Sequence, residues 1–181
     1  MKSKYTITLL SITIVIIGTL FLGGCNMFFD DSAKIIDKSF YQIVESIRNQ
    51  DKEALKDMFS EKAWKENDDI SNDIDYLFDF IHGEIESWER TGGPGVFDGN
   101  NDDGSGRIWK EIRATYDIKT SEQEYHVSIQ IITKHSRIPS LVGLSSICII
   151  NVNDWDEDYN YWGCLGLPED FEIRGIVVDK R

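Results

Sequence analysis

The amino-acid sequence predicts an α+β domain, in which three helices precede a run of antiparallel strands, behind an N-terminal secretory signal. Before Gly83, apolar residues recur at three- and four-residue spacing, which is the period of an amphipathic helix. After Gly83, they alternate with polar residues, which is the period of a half-buried strand. Because the helical segments come first and do not alternate with the strands, we expect helices on one face of an antiparallel sheet.

An uncharged run from residue 5 to residue 22 follows the basic residues Lys2 and Lys4. This order, with small residues and a cysteine after the run, is typical of a secretory signal segment. The alternative is an uncleaved transmembrane anchor, because the run reaches the minimum of about 18 apolar residues for a membrane span. Gly23 and Gly24 favour access of a peptidase over continuation of a helix. Under both alternatives the rest of the chain lies outside the cytoplasm.

The segment Leu22-Gly23-Gly24-Cys25 resembles the lipobox of bacterial lipoproteins. A leucine stands three residues before the cysteine, and a glycine directly before it. The resemblance implies diacylglycerol on the Cys25 sulfur and cleavage between Gly24 and Cys25, which removes residues 1–24 as a signal peptide. We therefore expect a palmitate-labelled lipoprotein on the extracytoplasmic face of the cell membrane, with a Gram-positive-type envelope favoured.

Removal of residues 1–24 leaves 157 of the 181 residues, which is enough for one domain with its own core. The removed segment carries two lysines and no acid, so the net charge falls from −13 to −15. An acidic chain of this kind argues against nucleic acid as a partner and against a surface that binds anionic lipid. Its acidic surface serves solubility in the simplest case, and a cationic partner or calcium is the alternative.

The helical part of the sequence follows a short tether over residues 25–31, and the single domain extends over residues 32–181. Asp31 or Ser32 is the predicted N-cap of the first helix. Its apolar stripe consists of Ile36, Phe40, Ile43, Val44 and Ile47. A second helix is predicted from about Lys52 and a third over residues 70–81, with a polar link between them.

Five strands are predicted in the rest of the chain from the alternation of apolar and polar residues. They cover residues 84–90, 107–120, 124–131, 144–152 and 171–178. In the third of them, one parity is apolar and the opposite parity carries Glu124, His126, Ser128 and Gln130. The fourth is apolar on both parities, so we expect a central strand that is covered on both faces.

Five groups of short motifs, spread in order over most of residues 32–178, carry a resemblance to a known family. They are Asn49-Gln50-Asp51-Lys52-Glu53-Ala54-Leu55, Gly92-Gly93-Pro94-Gly95, Lys110-Glu111-Ile112, Val142-Gly143-Leu144 with Ile149-Ile150, and Tyr161-Trp162-Gly163. The mature chain resembles the bacterial lipoprotein family called domain of unknown function 5104. Its element order resembles the nuclear-transport-factor-2-like (cystatin-like cone) fold, in which helices and a curved sheet enclose a pocket. The family has no established activity, so the resemblance implies a fold and a location but no catalytic residues.

Cys148 and Cys164 remain once Cys25 is assigned to lipid. Outside the cytoplasm the two cysteines can form a disulfide, which would contribute about 3 kcal/mol in the chain-entropy model. The alternative is two buried thiols that pack as small hydrophobic residues. Neither cysteine is expected from the family pattern, and two cysteines without a histidine cluster do not indicate zinc.

Two acidic stretches raise the question of calcium or sugar binding. The segment from Thr91 to Gly106 carries Asp98, Asn100, Asp102 and Asp103. It departs from the EF-hand pattern at the glycine and glutamate positions, so a hairpin loop is favoured over a calcium site. Residues 154–162 interleave four acids with four aromatic rings, which suits sugars or cations, but an exposed loop anchored by its rings is favoured. We therefore predict no metal and no cofactor.

The candidate pocket lies inside the cone, between the first helix and the inward parity of the second strand. Ile112, Ala114 and Tyr116 are on that parity, with Lys110 as its one charge. Lys110 either extends its ammonium to water at the strand end or meets an anionic group at the cavity mouth. A surface role is expected for His126 and His135, so no catalytic residues are assigned.

Three functions follow from these observations. We favour a non-catalytic lipoprotein domain that binds a small ligand or an envelope protein, with the bilayer reached through acylated Cys25. The alternatives are a cone-fold enzyme of lyase, isomerase or hydrolase type, and a structural envelope module with a filled cone. A filled cone would leave only protein contacts.

Overall fold

The computed structural model describes residues 27–66, 69–100, 108–154 and 175–178. The chain divides into two compact units, residues 1–35 and residues 36–181. In the first unit the described residues, 27–35, are helical and belong to helix α1 (Met27–Arg48), which continues in the second unit. The helix therefore begins within the segment that we assigned to the tether, and the predicted cap at Asp31 or Ser32 is wrong.

The second predicted helix is divided into two in the structure. Helix α2 (Lys52–Met58) and helix α3 (Glu61–Glu66) are separated by Phe59 and Ser60. Phe59 forms a bridge with Leu144, and the Ser60 N–H donates to the Leu144 carbonyl at 2.9 Å. The Ser60 hydroxyl then accepts from the Ala63 N–H, which starts α3. This contact with a distant strand is not visible in the local period. Helix α4 (Ile70–Phe80) was predicted nearly to its bounds.

The strands form one sheet in the order β1-β2-β3-β4-β5. Their bounds are β1 (Ile85–Asn100), β2 (Ile108–Thr120), β3 (Glu124–His135), β4 (Gly143–Asn151) and β5 (Gly175–Val178). The first four strands pair antiparallel, which confirms the predicted α+β architecture. Strand β5 pairs with β4 in the parallel direction, which differs from the expected antiparallel run.

Strand β1 is much longer than the predicted segment 84–90, so the loop expected from Thr91 onward is a strand as far as Asn100. Its pairing with β2 continues through the glycine-rich stretch, with irregular register around Gly92 and Gly95. Gly93 has a φ of 79°, and a Cβ there would lie 2.7 Å from the Arg113 carbonyl oxygen. Only glycine suits that position, because the positive φ and the close backbone both exclude a side chain.

Alternate residues of β2 define the two faces of the sheet. The first face carries Ile112, Ala114 and Tyr116, and it packs against α1, since the ring of Tyr116 stacks on Phe40. The second face carries Glu111, Arg113, Thr115 and Asp117. In β4 every residue from 144 to 150 is buried, which confirms a central strand covered on both faces.

None of the helices in the described part of the chain combines the length and the apolarity that crossing a bilayer requires. The uncharged run over residues 5–22 lies outside the described residues.

Candidate functional site

The first face of the sheet, where the sequence predicted a pocket, is filled by packed side chains. Ile112 and Tyr116 are 0% exposed, and they belong to the main core cluster. The Tyr116 ring stacks on Phe40 with centroids 3.7 Å apart, and the Trp88 ring meets both rings edge-on. Three aromatic rings therefore fill this level of the interior, and Tyr116 packs in the core.

The Tyr116 hydroxyl belongs to a small hydrogen-bonded polar group at the edge of this aromatic packing. It donates to Asp37 Oδ1 at 2.9 Å, and Arg90 Nη1 pairs with the same carboxylate oxygen at 3.1 Å. Burial raises the pKa of Tyr116, and the hydrogen bond to Asp37 raises it further. The phenol therefore keeps its proton and serves as a donor, which argues against its use as a general base.

Lys110 is the third residue of β2 and lies opposite Asp98 in β1 and Lys134 in β3. It is partly buried. At this position near the strand end, its neighbours on the two flanking strands are one acid and one lysine.

An open cavity of about 320 Å³ lies beside β1, β2 and β3, and we call it the His126 cavity. Its charged lining consists of Glu89, Asp117, Lys119, Glu124 and His126. Two other cavities with described linings lie elsewhere: one of about 420 Å³ between the end of α1 and the start of β1, and one of about 240 Å³ between α1 and α2.

Asp117 and His126 are direct cross-strand partners in the His126 cavity. The imidazole Nδ1 lies 2.6 Å from Asp117 Oδ1, and the Thr91 hydroxyl donates to the same oxygen at 3.4 Å. Both side chains are partly exposed, so a ligand can reach them. With Glu89 and Glu124, the lining holds three carboxylates against one lysine and one imidazole, which favours a cationic ligand group.

Further along the second face, two charged side chains are buried. Glu111 is 1% exposed and Arg113 is 5% exposed. The Arg113 Nε–H donates to Glu111 Oε1, whereas Glu111 Oε2 and Arg113 Nη2 have no hydrogen-bond partner. The guanidinium carbon lies 4.8 Å from the centre of the Phe97 ring, which contributes a cation–π contact.

The polar parity of β3 is also buried in part, since Ser128 and Gln130 are almost inaccessible. Sequence reasoning missed this burial and the Asp117–His126 pair. The available signal was that the fourth predicted strand is apolar on both parities. A strand that is covered on both faces indicates that the polar parity of its neighbour β3 is covered as well.

Several predicted site residues lie outside the described part of the chain. They are Gly24 and Cys25, Cys164, the calcium candidates Asp102 and Asp103, and residues 155–162. Cys148 is buried on the second face, opposite Ser128. Within residues 27–66, 69–100, 108–154 and 175–178, no group of three or more His, Cys, Asp or Glu residues is arranged to hold a metal ion.

In a comparison with protein families, the model described as Domain of unknown function (DUF5104) matches residues 42–152. The match covers more than half of the chain and confirms the family resemblance drawn from the sequence. It runs from within α1 to the end of β4, and so includes the Asp117–His126 and Glu111–Arg113 pairs. A search of the curated proteins finds no match.

Proposed function

We propose a function for this chain as a member of the DUF5104 family, to which it belongs: a non-catalytic, extracytoplasmic binding domain held at the membrane by lipid on Cys25. The domain has the nuclear-transport-factor-2-like cone as its proposed fold, behind a signal peptide over residues 1–24. It binds the cationic group of a small ligand or of a partner protein, and it does so in the His126 cavity rather than inside the cone.

The filled first face supports a site outside the core. Phe40, Trp88 and Tyr116 occupy the level at which a cone pocket would lie. A ligand there would have to displace stacked rings, at a cost of several kcal/mol per large side chain. The same packing counts against a reaction chamber in the interior, and thus against the cone-fold enzyme that uses a pocket tyrosine.

The Asp117–His126 pair in an open cavity is the observation that carries the proposal. A cavity of about 320 Å³ is within the range of ligand sites, roughly 300–1,000 Å³. Its charges come from three neighbouring strands of one sheet, and the close Asp117–His126 contact holds two of them in place before a ligand arrives. The cavity between α1 and β1 is larger, but its charged lining is limited to Arg48 and Glu84.

Native mass spectrometry of the full protein, extracted from its own host membrane, tests this proposal. We expect a polypeptide that begins at Cys25, carries diacylglycerol and retains a basic small molecule or a partner protein. A non-acylated protein that still begins at Met1 would contradict the anchor. A retained ligand with no cationic group would contradict the assignment of the site.

The site is tested by the double substitution Glu89→Gln with Asp117→Asn, which removes two negative charges from the His126 cavity. The matched control is Glu53→Gln with Asp57→Asn, which makes the same charge change on the exposed surface of α2. We expect ligand retention to be lost in the first variant and kept in the second. Equal retention in both variants would show that the ligand does not bind in this cavity.

A hydrolytic enzyme is the second candidate, because a carboxylate that holds an imidazole Nδ1 is the arrangement of many general bases. The close Asp117–His126 contact favours it. Incubation of the protein with the retained ligand distinguishes hydrolysis from binding alone. Time-dependent conversion of the ligand that is lost in His126→Gln would indicate catalysis, whereas stable retention supports binding alone.

A further inference from the structure

Exposed apolar side chains gather at one end of the sheet, which we call the apolar end. They are Phe97, Ile108, Ile138 and Val142, each between 41% and 43% exposed. The end of β1, the start of β2, the end of β3 and the start of β4 meet there, because the four strands are antiparallel. Ser136 joins the segment after β3 to the start of β2. Its N–H donates to the Ile108 carbonyl at 2.9 Å, and its hydroxyl accepts from the Ile108 N–H at 3.0 Å.

Positive charge surrounds these side chains, although the chain as a whole has a net charge of −13. Residues 134–142 include Lys134, His135 and Arg137 but no acid, and both Lys134 and Arg137 are exposed. The pKa of His135 is lowered by burial and then by the positive charges of Lys62 and Arg137.

The acids that the register places near this end are opposed by cations. Asp98 lies opposite Lys110, and Glu111 is paired with Arg113. The connection over residues 101–107, which carries Asp102, Asp103 and Arg107, lies outside the described residues. In the described part, exposed apolar groups share this end with the exposed cations Lys134 and Arg137, and the exposed acid Asp98 lies opposite Lys110. That combination suits a bilayer interface with anionic headgroups.

Within the second unit, helix α1 runs along the sheet toward the end opposite the apolar end. Asp37 pairs with Arg90 near the middle of the sheet, and Arg48 Nη2 donates to the Ile85 carbonyl at the end opposite the apolar end. The helix thus runs away from the apolar end, and its N-terminal direction at Ile36 is toward it.

We infer that the apolar end rests on the headgroup region of an anionic bilayer and fixes the orientation of the anchored domain. This inference rests on the proposed function, because lipid on Cys25 is what brings the domain to the membrane. The apolar side chains enter the interface, while Lys134 and Arg137 pair with lipid phosphates. The local distribution of charge, rather than the net charge, then decides the contact. The His126 cavity is lined at the opposite end of β2, so this orientation leaves it facing away from the bilayer.

The test uses the full acylated protein in vesicles with and without phosphatidylglycerol. An environment-sensitive fluorophore is attached through Val142→Cys in one protein and through Glu122→Cys in a control, since Glu122 lies in the β2–β3 turn at the opposite end. We expect a blue shift for position 142 that is stronger with phosphatidylglycerol, and no shift for position 122. The same response at both positions, or none at position 142, would overturn the inference.

The role of the cations is tested by Lys134→Glu with Arg137→Glu. The control, Arg48→Glu with Lys52→Glu, makes the same charge change away from the apolar end. We expect the fraction of protein in the blue-shifted state to fall at least about tenfold in the first variant and to stay unchanged in the control. Equal responses of the two variants would overturn the electrostatic part of the inference.

The other possible occupants give different results. A shift that depends on protein concentration and needs no vesicles would indicate a second copy of the chain. A shift that is seen in native membranes but not with purified lipids would indicate a partner protein. Either result overturns the inference. An acylated protein without the shift contradicts this inference alone, whereas a protein without the acyl group contradicts the proposed function.

Discussion

The Tyr116 hydroxyl donates a hydrogen bond to Asp37 Oδ1 across 2.9 Å, although the two residues are 79 positions apart in the sequence. This bond joins α1 to the second strand at the edge of the aromatic packing. Arg90 completes the group by pairing with the same carboxylate, so three elements meet at one polar point. The bond gives the buried phenol a partner, which a tyrosine in a core normally requires.

Substitution of Tyr116 by Phe should lower the free energy of unfolding by about 1 kcal/mol, because it removes this one hydrogen bond and keeps the stacked ring. Phe40→Ala should lower it by about 3–5 kcal/mol, because it leaves a cavity beside the ring. Urea denaturation followed by tryptophan fluorescence measures both values. Equal losses in the two variants would contradict this ranking, because the hydrogen bond would then contribute as much as the ring packing.

Arg113→Met should destabilise the protein by about 3–5 kcal/mol, because it leaves the Glu111 carboxylate buried without its cation. The double variant Glu111→Leu with Arg113→Met should recover most of that loss, since neither charge then needs a partner. Denaturation of the two single variants and the double variant gives the coupling energy. Additive effects in this cycle would contradict a coupled pair.

The stability of the connection after β3 should depend on pH through His135. The Ile138 N–H donates to His135 Nδ1 at 3.0 Å, and protonation of that nitrogen removes the acceptor. The pKa of His135 is lowered from its ordinary value of 6.5, first by burial and then by Lys62 and Arg137. The contribution is therefore present above pH 6.5 and is lost as the pH falls below it, because the unfolded chain binds the proton more readily. Denaturation from pH 8 to pH 5 should show this loss in the wild type and a smaller one in His135→Asn.

Cys25→Ser should abolish acylation and leave a precursor that retains residues 1–24. The physical reason is that the serine hydroxyl cannot replace the thiolate as acceptor of the lipid. Metabolic labelling with palmitate and intact-mass measurement check this outcome, with Cys148→Ser as the control that should label normally. Labelling that survives Cys25→Ser would show that the anchor is elsewhere.

Cys148 and Cys164 should be joined in protein recovered from the envelope, which is an oxidising compartment. Peptide mapping without reduction, on samples quenched with an alkylating reagent, detects the bond. Two alkylated thiols would instead support the alternative in which both cysteines pack as small hydrophobic residues.

The strands β2, β3 and β4 were predicted within a few residues of their ends because their alternation is a local property of the chain. Helix α4 was predicted for the same reason. The start of β1 was predicted too, but its continuation to Asn100 was not. Glycine and proline normally interrupt a strand, and here the pairing of residues 92–100 with β2 holds the segment extended.

The amino-acid sequence by itself determined the order of the elements, the family, and which residues of each strand share a face. Side-chain period is set by backbone geometry, so it can be read without knowing the neighbours. Only the tertiary structure decided which faces are covered, and it buried Glu111, Arg113, Ser128 and Gln130 on the parity that reads as polar. It also decided the long-range pairs Asp37–Tyr116 and Asp117–His126, and the parallel pairing of β5 with β4. These features depend on which distant segments pack together, and alternation along one strand carries no information about what lies across from it.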